Sequence, residues 1–255
     1  YNFSGLPQGD YIIHATPPAG YTSTVDTAAP ADTTDPDTNT DNNDNGIGLG
    51  SGAVDSGILT MSAGEIAPNI TVNNATGSTT DPSVDFGFLT THSLGNRVWF
   101  DTDNDSTRDV AEVGVNGVVV QLYAADGAGN PTGVVLQTTT SAGGGYYRFD
   151  GLVAGDYVVV ITADNFTNDG SDDVLVGYWS SATTVNGVGV ISETVAPDAD
   201  NDVDTDDNGT LQTAGAFNGT VISSAVTLGP LASEPTNDDD PVAGSQVGEA
   251  PDDYS

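Results

Sequence analysis

The sequence predicts an all-β protein built from tandem β-sandwich repeats. Short runs of β-branched and aromatic residues alternate with Gly, Asn, Asp and Pro, which is typical of strands separated by turns. No stretch of useful length has helical periodicity, and part of the sequence occurs twice in the same order. The predicted strands are Val118 to Tyr123, Val134 to Thr139, Tyr146 to Phe149, Tyr157 to Thr162, Ile191 to Thr194 and Thr220 to Val226. Many short strands of this kind favour a β-sandwich in each repeat.

The internal repeat is clearest around a motif rich in tyrosine and glycine. Its first copy is Tyr1, Phe3, Gly5, Leu6, Gly9, Asp10 and Tyr11, and its second copy is Tyr147, Phe149, Gly151, Leu152, Gly155, Asp156 and Tyr157. Further along, Gly20-Tyr21 recurs as Gly177-Tyr178, and Asp44-Asn45-Gly46 recurs as Asp207-Asn208-Gly209. The order of the matching residues is preserved along both copies.

The repeat also predicts where the units begin and end. Residues 1–90 are expected to be the C-terminal part of a first repeat, which closes with the apolar run Val84 to Phe88. Residues 91–255 are expected to be a second repeat that lacks a counterpart of this closing strand. Since a sandwich with unpaired edges tends to recruit a further strand, we expect a longer tandem array or a neighbouring chain to supply it.

The composition is strongly acidic. The chain has 37 Asp and Glu residues against 3 Lys and Arg residues, a net charge of -34. This charge excludes nucleic acid as a partner and disfavours anionic membrane surfaces. So many carboxylates repel one another, and the repulsion must be offset by salt or bound cations, unless the acidity only keeps the surface solvated.

The sequence contains no cysteine, no membrane-spanning run and no signal pattern. There is no cysteine, so neither disulfides nor thiolate metal sites can form. We find no run of apolar residues long enough to cross a membrane and no signal pattern, so no membrane insertion is expected in this segment.

Residues 101–112 carry oxygen side chains in the ligand register of an EF-hand-type calcium loop. The candidate ligands are Asp101, Asp103, Asp105, the Thr107 carbonyl, Asp109 and Glu112. Ser106 stands where an EF-hand has Gly, so the backbone match is imperfect. The flanking segments favour strands rather than helices. The sequence therefore predicts a Ca²⁺ loop between two strands, with a merely polar turn as the alternative.

A second acidic segment precedes Asn208-Gly209. Its carboxylates are Asp198, Asp200, Asp202, Asp204, Asp206 and Asp207. Alternation at every second residue would place one set of oxygens on the same side of an extended segment. The corresponding positions of the first repeat include Asp35, Asp37, Asp41 and Asp44. We expect these residues to bind metal as well, and the alternative is a solvated acidic loop.

The sequence offers no catalytic constellation. His14 is expected on a strand and His92 in the link between the repeats, and no nucleophile elbow, phosphate loop or histidine metal motif is present. Trp99 and Phe100 are expected to pack in a core rather than to form a sugar platform. The chain is therefore predicted not to be an enzyme.

The second repeat resembles the B-type repeats of serine-aspartate repeat (Sdr) surface proteins, which are related to collagen-adhesin B domains. The resemblance lies in the stretch from Ser93 to Leu122, with SLGNRVWFDTDNDSTRDVAEVGVNGVVVQL, and in the stretch from Gly143 to Val159, with GGGYYRFDGLVAGDYVV. It implies immunoglobulin-like or prealbumin-like sandwiches that are extracellular, bind calcium and act as stiff spacers in surface adhesins. Many relatives of the collagen-adhesin type form Lys–Asn isopeptide bonds, which this chain, having no lysine, cannot form.

These observations together predict an extracellular, calcium-binding structural repeat. It would form a rigid stalk or filament of a cell-surface adhesin-like protein, with neighbouring identical repeats or subunits joined end to end. One alternative is an adhesin module that binds a host protein or glycan. Another is a non-catalytic accessory domain of a secreted hydrolase.

Overall fold

The computed structural model describes residues 3, 5–18, 21–24, 44–47, 52–61, 84–170, 172–200 and 205–229. The chain divides into two compact units, Tyr1–Thr91 and His92–Ser255. Apart from one 3₁₀ helix, Ala163–Phe166, the regular elements of the described residues are strands, which confirms the all-β prediction. Within this described part, no helix has the length and apolar character needed to span a membrane.

The first unit contains seven short strands among its described residues. They are β1 (Gly9–Tyr11), β2 (His14–Ala15), β3 (Tyr21–Ser23), β4 (Gly46–Ile47), β5 (Val54–Ser56), β6 (Leu59–Met61) and β7 (Phe88–Thr90). β1 pairs with β6, β5 lies between β2 and β4, and β3 pairs with β7, all antiparallel. Val54, Leu59 and Val84 are its buried apolar residues.

The second unit has longer strands. They are β8 (His92–Arg97), β9 (Val119–Ala125), β10 (Pro131–Thr140), β11 (Tyr146–Leu152), β12 (Gly155–Ile161), β13 (Thr183–Val185), β14 (Ile191–Glu193), β15 (Thr210–Leu211), β16 (Val221–Ile222) and β17 (Val226–Leu228). The large sheet has the order β10-β9-β12-β16-β15, and β17 also pairs with β12. β8 and β11 form a second sheet, and β13 and β14 form a hairpin.

The core of the second unit lies between these two sheets. Leu94 of β8 and Phe149 of β11 pack in one buried cluster with Leu122 of β9 and Val159 of β12. Alternating residues of a strand face opposite sides, so these side chains come from the inward positions of both sheets. The predicted sandwich is thus formed by the apolar runs that mark β9, β11 and β12 in the sequence.

The central strand β12 is covered on both faces. Val158 and Val160, which point away from the cluster that contains Val159, are almost completely buried. Tyr123 lies opposite Val158 in the ladder and meets the ring of Phe217 edge to face, with 5.3 Å between centroids. The run of consecutive valines in β12 is the pattern expected of a strand buried on both faces.

One sequence prediction is wrong in detail, because the predicted strand from Thr220 to Val226 is two strands. β16 and β17 both pair with β12, but three residues between them oppose only two residues of β12. The extra residue makes a β-bulge. Ser223 holds it in place, since its N–H donates to the Val159 carbonyl at 3.0 Å and its Oγ accepts from the Val159 N–H at 3.0 Å.

The same bulge is present in the first unit. There Ser56 donates its N–H to the Ile13 carbonyl at 2.9 Å, and its Oγ accepts from the Ile13 N–H at 3.0 Å. The tyrosines of the repeated motif also make equivalent bonds, Tyr11 to the Pro7 carbonyl and Tyr157 to the Val153 carbonyl, both at 2.7 Å. The sequence repeat is therefore accompanied by a repeat of hydrogen bonds.

Candidate metal centre

The loop of residues 101–112 is closed at its base by strand-like contacts. The Phe100 N–H donates to the Val113 carbonyl at 3.0 Å, and the Val115 N–H donates to the Val98 carbonyl at 2.7 Å. Trp99 and Gly114 form an antiparallel bridge between these contacts. The loop therefore projects from two paired extended segments, whereas an EF-hand loop lies between helices.

Asp101 organises the first half of the loop. Its carboxylate accepts backbone N–H groups from Asn104 at 2.6 Å, Asp105 at 3.3 Å and Ser106 at 2.9 Å. Partial burial raises the pKa of Asp101, but these bonds and one from the Ser181 side chain outweigh it, so that the net shift is downward. The carboxylate is thus held ionised and fixed by the loop's own backbone.

The backbone turns sharply at the position where an EF-hand has glycine. Ser106 has φ +66° and Asn104 has φ +60°, both in the left-handed region. An asparagine tolerates this conformation better than most residues, and a serine pays a small cost. The Asp101 hydrogen bonds offset that cost, so the departure from glycine does not prevent the turn.

Three carboxylates of the loop lie close together. Asp101, Asp103 and Asp105 each offer an oxygen, and these oxygens lie within 4.8 Å of one another. The charge of Asp105 is the main cause that raises the pKa of the exposed Asp103, with smaller contributions from burial, Asp101, Asp109 and Glu112. This repulsion shows negative charge concentrated at one point, an arrangement that can hold a divalent cation.

Glu112 bonds to other groups of the loop and is not one of the three clustered carboxylates. It is buried, and its Oε1 accepts the N–H and hydroxyl of Thr102 at 2.5 and 3.0 Å, while Oε2 accepts the Asp109 N–H at 3.1 Å. Burial raises the pKa of Glu112, but the bonds from Thr102 and Asp109 lower it by more. Asp109 and Glu112 are therefore not part of the three-carboxylate cluster, and Glu112 ties the end of the loop to its beginning.

The end of the second acidic segment lies against this loop. Asp206 forms an antiparallel bridge with Thr107. The Asp207 N–H donates to the Ser106 carbonyl at 2.9 Å, and the Arg108 N–H donates to the Thr205 carbonyl at 2.7 Å. The structure thus joins two segments that the sequence treats as separate candidates.

Asp207 is the most perturbed carboxyl group of this region. Its pKa is raised to about 6, chiefly by burial and further by repulsion from Glu193, Asp101 and Asp206, and the hydrogen bond from the Gly209 N–H at 3.0 Å offsets only part of the rise. Glu193 is itself buried at Oε1 without a hydrogen bond. Burying carboxylates beside one another is costly unless a proton or a cation neutralises them.

The remaining members of the second segment lie elsewhere. Asp198 accepts a hydrogen bond from the Ser224 hydroxyl at 3.1 Å, and Asp200 accepts one from the Thr227 N–H at 3.2 Å. The described carboxylates of this segment are therefore divided between two places. Five of the predicted metal residues lie outside the described residues, namely Asp35, Asp37, Asp41, Asp202 and Asp204.

In the first unit, both carboxylate oxygens of Asp44 accept hydrogen bonds. Its Oδ1 accepts the Gly46 N–H at 2.9 Å, and its Oδ2 accepts the Thr24 hydroxyl. It also forms a parallel bridge with Asp85. Metal binding by Asp44, and by the other predicted aspartates of both acidic segments, stays a prediction.

Sequence reasoning missed two residues of the site, Ser181 and Glu193. Ser181 bonds to Asp101, and Glu193 contributes to the raised pKa of Asp207. Neither stands in an acidic run, so no local signal marks them. His14, in contrast, lies on a strand as predicted, where its Nδ1 is 2.5 Å from an Asp55 oxygen on the exposed surface.

Comparison with known proteins finds a family match within the second unit. Residues 92–206 match the family described as SdrD B-like domain. The chain is 32% identical over 182 residues to serine-aspartate repeat-containing protein C of Staphylococcus aureus strain N315, covering 68% of this chain and 15% of that protein. It is 35% identical over 161 residues to serine-aspartate repeat-containing protein I of Staphylococcus saprophyticus, covering 62% of this chain and 7% of that protein. The resemblance to Sdr B-type repeats is confirmed.

Proposed function

Residues 92–206 form an SdrD B-like domain, and from this we infer that the chain is a non-enzymatic structural repeat of an extracellular, cell-surface, adhesin-like protein. The all-β sandwich and the similarity to serine-aspartate repeat-containing proteins support this function. The chain spans a small part of those relatives, which fits one section of a longer stalk or filament. Its partners would be neighbouring repeats or subunits, joined end to end.

We also propose that residues 1–90 are the C-terminal part of one B-type repeat and residues 91–255 a second repeat without its closing strand. The equivalent hydrogen bonds of the two units support this division. Tyr11 and Tyr157, and likewise Ser56 and Ser223, occupy the same places in their units.

The proposed cofactor is Ca²⁺, held by the loop of residues 101–112. The observation that carries it is the group formed by Asp101, Asp103 and Asp105, whose oxygens lie within 4.8 Å on a backbone already fixed by hydrogen bonds. Calcium takes roughly 6–8 oxygen ligands from carboxylates, carbonyls and water, and these three carboxylates would supply part of that set. The Thr107 carbonyl, Asp109 and Glu112 would complete the EF-hand register, although Glu112 now bonds to loop amides.

Calcium at this loop would stiffen the unit. The loop is bonded to Thr205 and Asp207, so an ion that orders residues 101–112 also holds the segment near residue 206. Neutralising the carboxylates removes the repulsion that raises the pKa of Asp103. At a calcium concentration ten times the dissociation constant, such a site adds about 1.4 kcal/mol to the free energy of unfolding.

Thermal unfolding of the full chain with calcium and with chelator tests this proposal. Both tryptophans of the sequence, Trp99 and Trp179, lie in the second unit, so tryptophan fluorescence follows that unit alone. We expect calcium to raise the melting temperature. The double variant Asp103→Asn with Asp105→Asn should lose this response, since it removes two of the clustered carboxylates.

The matched control is Asp164→Asn, which removes a carboxylate charge at an exposed position outside the loop. It should keep the calcium response. Equal melting temperatures of the unsubstituted chain in calcium and in chelator, or an undiminished response of the double variant, would contradict the calcium proposal.

A second candidate function, binding of a host protein or glycan, is favoured by one observation. The side chains of Tyr178 and Trp179 are 53% and 54% exposed, and they line a cavity beside Phe100. Exposed aromatic side chains of this kind serve as contact surfaces in many binding sites. Retention of the chain on immobilised glycans or matrix proteins, abolished by Trp179→Ala, would support binding over a purely structural role.

A further inference from the structure

Strand β7 of the first unit, together with the residues just before it, is held by hydrogen bonds from two other segments of that unit, and these two segments are here called its seat. β7 runs antiparallel to β3, with Ser23 opposite Phe88 and Tyr21 opposite Thr90. One residue beyond β3, the Thr24 N–H donates to the Gly87 carbonyl at 3.0 Å. The segment Val84–Thr90, here called the closing segment, is thus bonded along β3.

The closing segment has a second point of attachment. The Asn45 N–H donates to the Asp85 carbonyl at 2.9 Å, and the Asn45 Oδ1 accepts the Asp85 N–H at 2.8 Å. Asn45 is completely buried by this arrangement. The seat therefore consists of β3 with Thr24 on one side and Asp44-Asn45 on the other.

The second unit contains both parts of this seat. Residues 178–181 correspond to β3 and Thr24, because the Tyr178 N–H donates to the Leu175 carbonyl at 3.0 Å as the Tyr21 N–H donates to the Pro18 carbonyl at 3.2 Å. Both are bonds to the third residue before the tyrosine. The sequence repeat Gly-Tyr points to the same correspondence.

The second part of the seat is equally well matched. The Gly209 N–H donates to Asp207 Oδ1 at 3.0 Å, as the Gly46 N–H donates to Asp44 Oδ1 at 2.9 Å. A Cβ on Gly46 would lie 2.9 Å from Val54, and a Cβ on Gly209 would lie 2.6 Å from the equivalent valine of β16. Asp207-Asn208 thus stands where Asp44-Asn45 stands in the first unit.

The seat is paired with β7 in the first unit, whereas in the described part of the second unit no strand pairs with it. Thr22, which lies opposite Leu89 of β7, is 9% exposed, while Trp179 at the equivalent position is 54% exposed. Among the described residues of the second unit, no strand is paired with residues 178–181. A cavity of about 180 Å³ adjoins them, and its lining includes Phe100, Tyr147, Ser181 and Asn208.

We propose that residues 178–181, Asp207-Asn208 and this cavity form an acceptor site for an added β-strand with the sequence character of Val84–Thr90. The occupant is a segment with Asp, an aromatic residue, Gly and a second aromatic residue in succession. Its backbone pairs with residues 178–181, which belong to no strand in the described structure, and the two segments form a ladder like that of β3 and β7. Asn208 takes the part that Asn45 plays toward Asp85.

The side chains of the occupant match the site. The aromatic residues on either side of the glycine enter the cavity beside Phe100 and Tyr178, whose rings are 4.5 Å apart. The glycine is needed because a Cβ on Gly87 would lie 2.2 Å from the Thr24 hydroxyl, and Ser181 carries a hydroxyl at that place. The site borders the calcium loop, because the Ser181 side chain bonds to Asp101 and the Asp207 N–H donates to the Ser106 carbonyl at 2.9 Å. The proposed backbone pairing itself uses residues 178–181 and Asn208 and no loop carboxylate.

A synthetic peptide with the sequence of residues 84–91, Val-Asp-Phe-Gly-Phe-Leu-Thr-Thr, tests the site on the full chain. Calorimetric titration should show saturable binding of one peptide per chain. The amides of residues 178–181 should become protected from hydrogen exchange. A peptide with Gly87→Val should bind at least about tenfold more weakly, because its side chain meets the Ser181 position, and a scrambled peptide should not bind.

A chain variant provides the second arm. Trp179→Pro removes a backbone donor from the edge at an exposed position, and circular dichroism will show whether the variant is folded. The folded variant should lose peptide binding. A folded unsubstituted chain that does not bind the peptide, or that binds the Gly87→Val peptide equally well, would overturn the proposal.

Sedimentation of the chain alone distinguishes the source of the strand. A dimer that the peptide dissociates would show the site filled by the closing segment of a second copy, which supports the acceptor site. A dimer that keeps its mass in saturating peptide, with residues 178–181 already protected, would contradict it.

Discussion

The two units share one hydrogen-bonded frame but differ in what covers it. β1 pairs with β6 in the same register as the start of β12 pairs with β17. Yet Phe3 is 60% exposed, while its counterpart Phe149 is 1% exposed in the cluster with Leu122 and Val159 of the opposing sheet. The frame therefore follows from local bonds within each motif, whereas burial follows from the presence of an opposing sheet.

The largest expected difference between the units comes from removing these aromatic rings. Phe149→Ala should lower the free energy of unfolding of the second unit by about 3–5 kcal/mol, because it leaves a cavity among Leu94, Leu122 and Val159. Phe3→Ala should change stability by less than about 0.5 kcal/mol, as at other exposed positions. Urea unfolding followed by tryptophan fluorescence and by circular dichroism measures both. Similar losses for the two variants would mean that Phe3 is covered by residues outside those described.

A smaller effect is expected from the charge of Asp207. Its folded pKa of about 6 lies above the ordinary aspartate value of 3.8, so the folded state holds the proton more tightly. The resulting stabilisation is complete below pH 3.8 and is lost as pH rises to 6. In chelator at pH 7, Asp207→Asn should therefore raise the free energy of unfolding by at most about 3 kcal/mol.

The pH profile of urea unfolding, followed by tryptophan fluorescence, checks this prediction. Asp207→Asn should remove the fall in stability between pH 4 and 6, while the equivalent change Asp44→Asn in the first unit should leave the tryptophan signal unaltered. If Asp207 lies close enough to bound calcium to be neutralised by it, added calcium should reduce the stability that Asp207→Asn gains. A variant less stable than the parent chain at pH 7 in chelator would contradict the assigned burial cost.

The smallest expected difference concerns the paired tyrosine hydroxyls. Tyr157→Phe removes a bond to the Val153 carbonyl from a buried residue, and Tyr11→Phe removes the same bond at an exposed site. We expect a loss of about 1 kcal/mol for Tyr157→Phe and less for Tyr11→Phe, since water replaces the exposed bond more readily. Equal losses, measured by hydrogen exchange of β12 and β1 amides, would show that the exposed bond matters as much as the buried one.

The strands could be predicted where apolar runs coincide with ladder pairing. Val118 to Tyr123 anticipates β9, and Tyr157 to Thr162 anticipates β12, with shifts of one or two residues. The run Thr220 to Val226 could not be divided from sequence, because the break depends on the bonds of Ser223 to Val159 across the sheet. β-propensity describes a residue's own preference and carries no information about such a partner.

For the candidate site, as for the strands, only the features that depend on local residue spacing could be predicted. The oxygen spacing located Asp101, Asp103 and Asp105, which the fold brings together. The approach of Asp207 was not predictable, since it depends on pairing between segments distant in the sequence. The bonds of Glu112 to loop amides were also hidden, because a carboxylate at the twelfth position suits either an ion or the backbone.

The bond between Arg108 and Thr205 has a consequence for biosynthesis. It joins residues near the opposite ends of the matched domain. The loop of residues 101–112 can therefore form its hydrogen bonds to the segment near residue 206 only after nearly the whole domain has emerged from the ribosome. Contacts this distant in sequence form late and make folding slow. A growing chain would therefore remain open and threadable until its last strands appear.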